Sequence, residues 1–191
     1  MKKKEFKWNV KSDKKYNIIY ADPPWKYSTD VNKHYPTIPI RDIYKFPIDK
    51  FADEDCALFL WVTLGILPES IETIKQWGFR YVTVAFNWVK TNKGNGKPFL
   101  GMGAWTRANS EICVLGIRGK LKRQSANVPQ IVLSQRREHS RKPDEIRDMI
   151  VDLMGDLPRV ELFARESMAG WDCWGNQTNK FNGEQKCLMR K

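Results

Sequence analysis

The 191-residue sequence has few metal-binding side chains, with four cysteines and two histidines, and it has no long run of apolar residues. The cysteines form neither a C-x-x-C pair nor a cluster with two histidines, so the sequence predicts neither a structural zinc site nor disulfides. The apolar stretches are far too short to span a bilayer, and Met1–Glu5 precedes no segment typical of a secretory signal. We therefore expect a cytoplasmic protein with no membrane partner and no metal. The cysteines are Cys56, Cys113, Cys173 and Cys187.

Negative charge is also scarce, because 33 lysines and arginines face 22 aspartates and glutamates and give a net charge of +11. The positive residues recur along the whole chain, which indicates a polyanionic partner, with nucleic acid as the leading candidate. A basic structural protein that binds no cofactor is the alternative. The chain is long enough to bury one core. We expect a basic arm over residues 1–15, one domain over 16–178 and a tail over 179–191.

The sequence lacks internal repeats and a G-x-G-x-x-G motif, so a dinucleotide-binding fold of the standard kind is not indicated. Apolar runs alternate with amphipathic stretches instead, which predicts an α/β fold. We expect a mostly parallel sheet that binds its ligands at the carboxyl ends of the strands. Residues 120–141 and 170–177 are predicted to be loops. The predicted strands are 18–21, 56–62, 79–90, 111–117 (antiparallel to the strand before it) and 159–165, and the predicted helices begin at Ile40, Pro68 and Pro143.

The first predicted strand ends abruptly at Asp22, which two prolines and Trp25 follow. Neither proline has an N–H and both have a fixed φ, so we expect a rigid turn whose carbonyls have no internal donor competing for them. The carboxylate and these carbonyls would lie beside the flat face of Trp25, which suits a planar base that carries an amino group. The alternative is an aspartate that caps a turn and a tryptophan that packs under it.

This turn suits chemistry on an exocyclic amine such as adenine N6. The lone pair of such an amine is delocalised into the ring, which makes it a poor nucleophile. Two acceptors that hold its two hydrogens would favour pyramidal geometry and stabilise the positive charge that grows during alkylation. No strong base is then required before the attack.

The predicted loops have two interpretations each. Residues 26–39 either close over the Asp22 turn or use their aromatic side chains to pin the loop to the core. Residues 91–106 are glycine-rich and basic, which indicates a mobile loop. The positive charges of residues 120–141 form either a solvated face or a surface that contacts phosphates.

Five motifs follow one another along the chain: Ala21-Asp22-Pro23-Pro24-Trp25, Trp88-Val89-Lys90-Thr91-Asn92, His139-Ser140-Arg141-Lys142-Pro143-Asp144-Glu145-Ile146, Glu161-Leu162-Phe163-Ala164-Arg165 and Gly175-Asn176-Gln177. In these motifs and in their order, the sequence resembles the MT-A70 family of S-adenosylmethionine-dependent adenine-N6 methyltransferases. The resemblance spans roughly Tyr16 to Gln177 and implies a Rossmann-like class I methyltransferase with permuted order, in which the catalytic strand comes first and the cofactor-side strand comes last.

The resemblance implies a catalytic role for the Asp22-Pro23-Pro24-Trp25 turn. Asp22 and the Pro23 carbonyl would hold the adenine amine, and Trp25 would stack on the base or frame it. Tyr35 is similar to the family's gate-loop tyrosine. Further candidates for contacts with the substrate are Lys90 and Arg107.

The resemblance also implies a set of residues that bind S-adenosylmethionine, and Asp22 is one of them. Lys142 would meet the methionine end of the cofactor, Arg165 would contact the cofactor, and Asn176 with Gln177 would bind its ribose and adenine. Glu161 matches a family glutamate that would only orient Arg165. The chain departs from some relatives after the arginine, where it has Ser167 and Met168 in place of His-Asn.

We expect an enzyme that methylates adenine N6 in nucleic acid after the base has left its stack. A small basic chain resembles bacterial or phage members of the family, which favours DNA over RNA. The alternatives are an enzyme that acts on RNA and a non-catalytic nucleic-acid-binding subunit. A homodimer is compatible with the sequence.

Overall fold

The structure is a computed structural model that describes residues 8–10, 12–26, 36–103, 105–138, 140–178 and 180–181. Most of the predicted basic arm, the predicted gate-loop Tyr35 and most of the predicted tail lie outside the described residues. No helix in the described ranges has the length and apolar character needed to cross a bilayer.

The described residues form seven strands and three helices. The strands are β1 (Tyr16–Ala21), β2 (Ala52–Val62), β3 (Arg80–Thr91), β4 (Ser110–Arg118), β5 (Ile131–Gln135), β6 (Arg159–Leu162) and β7 (Asp172–Trp174), and the helices are α1 (Ile40–Tyr44), α2 (Leu67–Gln76) and α3 (Glu145–Met154), with 3-10 turns at Ile48–Lys50 and Leu64–Ile66. The strands form one sheet in the order β5-β3-β4-β2-β1-β6-β7. Strand β4 runs antiparallel to its neighbours β2 and β3, and the other pairs in the sheet are parallel. The sheet is therefore mostly parallel, as the sequence predicted.

The helices cover both faces of the sheet. Successive side chains of a strand point to opposite faces, so the buried strand β1 contributes to two core layers. Ile19 packs in one layer with Ile43 of α1 and Ile74 of α2. Ile18 packs in the other layer with Ile146 of α3. The α/β fold of a Rossmann-like methyltransferase is confirmed.

The predicted strands and helices are present with small shifts at their ends. Pro68 lies in the first turn of α2, where its missing N–H costs nothing. The residues that follow α2 and α3, Gly78 and Gly155, have φ of 76° and 90°, which a side chain with a Cβ adopts only with strain. Strand β6 ends at Leu162 rather than at Arg165, because Phe163 turns the chain with φ of 61°.

Two predicted loops contain strands, so those predictions were wrong. Strand β5 lies within 120–141 and pairs with the end of β3, and β7 lies within 170–177 and pairs with β6. Both are short edge strands of five and three residues, and so the local pattern carries little signal. Because β7 follows β6, the cofactor-side strand is not the last strand.

The predicted absence of disulfides was also wrong, because Cys173 is disulfide-bonded. Cys56 and Cys113 are free and buried. A disulfide depends on the distance between two Cβ atoms in the fold, which the spacing of cysteines in the sequence does not reveal.

Candidate active site

The candidate site lies where β1 and β6 end side by side. The two strands are parallel neighbours, so the Asp22 turn after β1 and the turn after β6 meet at one edge of the sheet. An open cleft lies at this edge. Ligands of open α/β sheets bind at such carboxyl ends. The charged residues that line the cleft are Asp22, Arg141, Lys142, Arg147, Glu161, Arg165 and Glu166.

The turn itself is held by main-chain hydrogen bonds. The Trp25 N–H donates to the Pro23 carbonyl (2.8 Å), and the Ile38 N–H donates to the Pro24 carbonyl (2.9 Å). The prediction that no internal donor competes for the Pro23 carbonyl was therefore wrong. A carbonyl oxygen has two lone pairs, so Pro23 retains capacity for one more donor.

Trp25 lies under the turn and does not present a stacking face. Its side chain is 3% exposed, and its indole N–H donates to the carbonyl of Trp61 in β2 (3.0 Å). The expected stacking of Trp25 on a substrate base is therefore corrected. Trp25 packs in the core instead, as the alternative interpretation of this residue expected.

Asp22 belongs to a chain of alternating charges that runs from the turn after β1 to residues of β4 and β3. The ammonium of Lys142 lies 2.7 Å from Oδ2 of Asp22 and 3.3 Å from Oε2 of Glu111, the second residue of β4. The ammonium of Lys90 on β3 lies 2.6 Å from Oε1 of Glu111. The structure thus brings together three predicted site residues, Asp22, Lys90 and Lys142. Glu111 was missed, although a carboxylate at the start of an apolar strand was a usable signal.

The burial and charges of this chain shift its pKa values in different directions. Burial raises the pKa of Asp22, and the positive charge of Lys142 offsets part of that rise. Burial also disfavours the charged form of Glu111, but Lys142 and Lys90 outweigh it and lower its pKa to about 2. Burial alone would lower the pKa of Lys142, but Asp22 and Glu111 raise it above its ordinary value. Lys142 therefore stays cationic beside both carboxylates.

A buried arginine closes the back of the cleft. The Nε and one terminal nitrogen of Arg147 lie 2.7 and 3.1 Å from the two carboxylate oxygens of Glu161, and a terminal nitrogen lies 3.0 Å from Glu166. All three residues are at most 9% exposed. Arg141 reaches Glu166 from the mouth of the cleft at 3.0 Å. Arg147 thus ties α3 to β6 and to the turn that carries Arg165.

The structure pairs Glu161 with Arg147, whereas the sequence predicted that Glu161 orients Arg165. Sequence reasoning missed Arg147 because an arginine within an amphipathic helix usually lies on the solvent side. Arg165 lines the cleft, and its charge opposes part of the rise that burial causes in the pKa of Asp22. Its guanidinium lies 5.0 Å from the ring centre of Phe181.

Asn176 and Gln177 follow β7 at the same edge of the sheet. A Cβ on Gly175 would lie 2.5 Å from the carbonyl oxygen of Ala164, so only glycine lets this segment approach the end of β6 so closely. The side chains of Asn176 and Gln177 are exposed and lie outside the described lining of the cleft. Their contact with a cofactor stays a prediction. Arg107 is exposed on the connection between β3 and β4, and its role stays a prediction as well.

We expect Glu111→Gln to destabilise the protein at neutral pH and to lose this effect in acid. The carboxyl has a pKa of about 2 in the fold and about 4.5 as an ordinary glutamate, so its ion pairs stabilise the fold above about pH 4.5 and fade as the pH falls toward 2. The expected difference in unfolding free energy is about 2–3 kcal/mol at pH 7 and less than half of that at pH 3. Urea unfolding at both pH values measures it. Glu54→Gln, at an exposed position of β2, is the control. An equal difference at both pH values would contradict the assignment.

Comparisons with known proteins identify a family and several relatives of this chain. A protein-family model described as MT-A70 matches residues 16–177. Type II methyltransferase M.MunI from Mycoplasma sp is 32% identical over 187 residues, which cover 85% of this chain and 77% of that protein. A putative N(6)-adenosine-methyltransferase MT-A70-like from Medicago truncatula is 34% identical, with 85% of this chain and 26% of that protein covered. The human N(6)-adenosine-methyltransferase catalytic subunit METTL3 is 30% identical, with 85% and 28% covered. The chain thus spans most of the first relative and about a quarter of the other two.

Proposed function

This chain belongs to the MT-A70 family, and on that premise we propose that it transfers the methyl group of S-adenosylmethionine to N6 of adenine in nucleic acid, with DNA as the first polymer to test. The observation that carries the proposal is the Asp22 carboxylate, which lines a charged cleft where two parallel strands end side by side. The names of the relatives support a methyltransferase that acts on adenine N6.

The cleft fits S-adenosylmethionine in charge, because both cationic and carboxylate side chains line it. An ammonium has three donors, and Lys142 directs its charge at Asp22 and Glu111, which leaves one donor for the methionine carboxylate. Arg165, Asn176 and Gln177 would hold the rest of the cofactor. When bound, the cofactor supplies a sulfonium methyl group with an excellent leaving group, so the protein needs to supply only alignment and acceptors.

Asp22 and Pro23 act on the amine of the substrate base. Because Lys142 occupies Oδ2 of Asp22, we assign Oδ1 to one hydrogen of N6 and the second lone pair of the Pro23 carbonyl to the other hydrogen. The carboxylate then stabilises the positive charge that develops on nitrogen and can take up the proton that N6 releases. The base must leave its stack to reach this turn, which is easiest in a single strand.

We place DNA before RNA because the relative that is matched over 77% of its length is named a type II methyltransferase, whereas those named N(6)-adenosine methyltransferases are matched over about a quarter. The net charge of +11 suits either polymer. We further propose a cytoplasmic location, and a homodimer that analytical ultracentrifugation can test.

Transfer of a labelled methyl group to matched DNA and RNA oligonucleotides tests the proposal. We expect labelling of DNA that contains adenine and none of DNA without adenine. Labelling of RNA alone would reverse the choice of polymer. A chain that binds S-adenosylmethionine in calorimetry but labels neither polymer would be a non-catalytic subunit, and labelling of adenine-free DNA would contradict the proposed target.

We expect Lys142→Met to move the acid limb of the pH–rate profile to higher pH. The lysine opposes the rise that burial causes in the pKa of Asp22, so its removal leaves more of Asp22 protonated and unable to accept from the amine. The measurement is kcat at saturating cofactor from about pH 5 to about pH 9. Lys142→Arg keeps the charge and should keep the limb near its original position. A Met variant whose acid limb does not move would show that Asp22 is not the titrating group.

A further inference from the structure

The connection between β3 and β4, residues 92–109, carries three exposed apolar side chains, which we call its tip: Leu100, Met102 and Trp105. Trp105 is 100% exposed, Met102 is 89% exposed and Leu100 is 60% exposed. Tryptophan carries a large apolar surface and is highly buried on average in folded proteins. Clustered exposure of large apolar side chains marks interaction sites. The tip therefore needs a partner that covers it.

The tip belongs to a segment with two successive turns, which we call the β3–β4 finger (residues 92–109, with residue 104 outside the described residues). Lys90 N–H donates to the carbonyl of Asn109 (2.8 Å), Phe99 N–H donates to that of Lys90 (2.7 Å), and Gly101 N–H donates to that of Ala108 (3.0 Å). The first two bonds hold Asn109 and Phe99 against the end of β3, and the third closes the turn that carries Trp105. Because these bonds already order the finger, a partner that binds it would have a smaller entropic cost to offset.

Glycines and a stacked arginine complete this framework. A Cβ on Gly101 would lie 2.6 Å from the carbonyl oxygen of Ala108, and a Cβ on Gly103 would overlap the carbonyl oxygen of Thr106. The two sides of the finger approach closely because these positions lack side chains. The guanidinium of Arg136 at the end of β5 lies 3.9 Å from the ring centre of Phe99 and braces the base of the finger.

The finger carries positive charge alone. Lys93, Lys97 and Arg107 lie within residues 92–109, which contain no aspartate or glutamate. All three side chains are exposed. The ring of Trp105 can stack on an unpaired base, and the surrounding cations can contact the phosphates. The finger therefore suits single-stranded nucleic acid.

Both ends of the finger join the candidate active site. The finger follows Lys90 and precedes Glu111, and these two residues belong to the charge chain that ends at Asp22. A strand that lies along the finger is therefore led toward the Asp22 turn. We propose that Trp105 stacks on an unpaired base that flanks the target adenine, while Lys97 and Arg107 contact the neighbouring phosphates. This inference rests on the proposed function.

Fluorescence anisotropy with a labelled thymine-only DNA strand of about 12 nucleotides tests the inference. This strand contains no adenine, so its binding does not depend on methyl transfer. Trp105→Ala is expected to weaken binding about tenfold, because each base stacked on an aromatic ring contributes substantially and without regard to sequence. Tyr81→Ala is the matched control, since Tyr81 is a 38% exposed aromatic residue at the opposite end of β3. It should leave binding unchanged.

The phosphate contacts have their own measurement. The double variant Lys97→Gln with Arg107→Gln is expected to reduce the slope of log affinity against log salt by about 1.4, whereas Trp105→Ala should leave the slope unchanged. Equal affinity of wild type and Trp105→Ala for the strand would overturn the inference, even if the enzyme methylates adenine normally. If Trp105→Ala instead splits a dimer in sedimentation and keeps strand affinity, the tip binds a second copy of the chain and the inference is wrong.

Discussion

Replacing Asp22 with asparagine is expected to lower kcat by about 1,000-fold and to leave the affinity for S-adenosylmethionine within about threefold. The substitution keeps the shape of the side chain but removes the negative charge that faces the developing cation on N6. It also puts an NH2 group where an acceptor is required. Loss of one aligned electrostatic contact of this kind costs about 100- to 1,000-fold, and the loss of charge adds to it. Steady-state methyl transfer and calorimetry measure the two quantities.

Asp156→Asn is the matched control for this variant. The Asp156 side chain is 87% exposed and pairs with Arg159 away from the cleft, so the same chemical change there should leave kcat unchanged. An Asp22→Asn variant that retains more than about a tenth of wild-type kcat would remove Asp22 from the reaction. A variant that loses both activity and cofactor affinity would assign Asp22 to cofactor binding instead.

Replacing Arg147 with methionine is expected to lower the free energy of unfolding by about 3–5 kcal/mol. Methionine fills similar space but leaves the buried carboxylates of Glu161 and Glu166 without their shared cation. Removal of one partner from a buried ion network strands the remaining charge in a low dielectric. Chemical denaturation at neutral pH measures the loss, and Arg80→Met, at an exposed position of β3, should change stability by less than about 0.5 kcal/mol.

A second variant separates the ion network from simple loss of packing. In the triple variant Arg147→Met, Glu161→Gln and Glu166→Gln, no stranded charge remains, so part of the lost stability should return. A single variant that loses less than about 1 kcal/mol would mean that the two carboxylates do not depend on Arg147. A triple variant less stable than the single one would mean that the loss arises from packing.

Much of the fold could be predicted because its signals are local. Strand β1 is a short apolar run ended by Asp22 and two prolines, and Pro68, Gly78 and Gly155 mark helix ends by their own backbone limits. Elements that depend on pairing in the folded sheet could not be predicted in this way. Strands β5 and β7 exist because β3 and β6 offer them an edge, and no pattern within either segment announces that edge.

The same distinction applies to the candidate site. Asp22 and Lys142 stand in motifs, and the fold brings them within 2.7 Å of each other. Glu111 reaches the site because of the register of β4, and Arg147 reaches it because it lies on the buried face of α3. Neither feature can be inferred from the local sequence. For Trp25 the local sequence was misleading. Its position beside Asp22 suggested a face that stacks on a base, but the fold buries the residue.

The most direct test of the central claim is mass spectrometry of nucleosides from DNA and RNA after incubation with S-adenosylmethionine that carries a deuterated methyl group. The account expects labelled N6-methyladenine with the wild-type protein and none above background with Asp22→Asn. Label on a ring nitrogen of adenine, label on another base, or equal N6-methyladenine from the two proteins would contradict it.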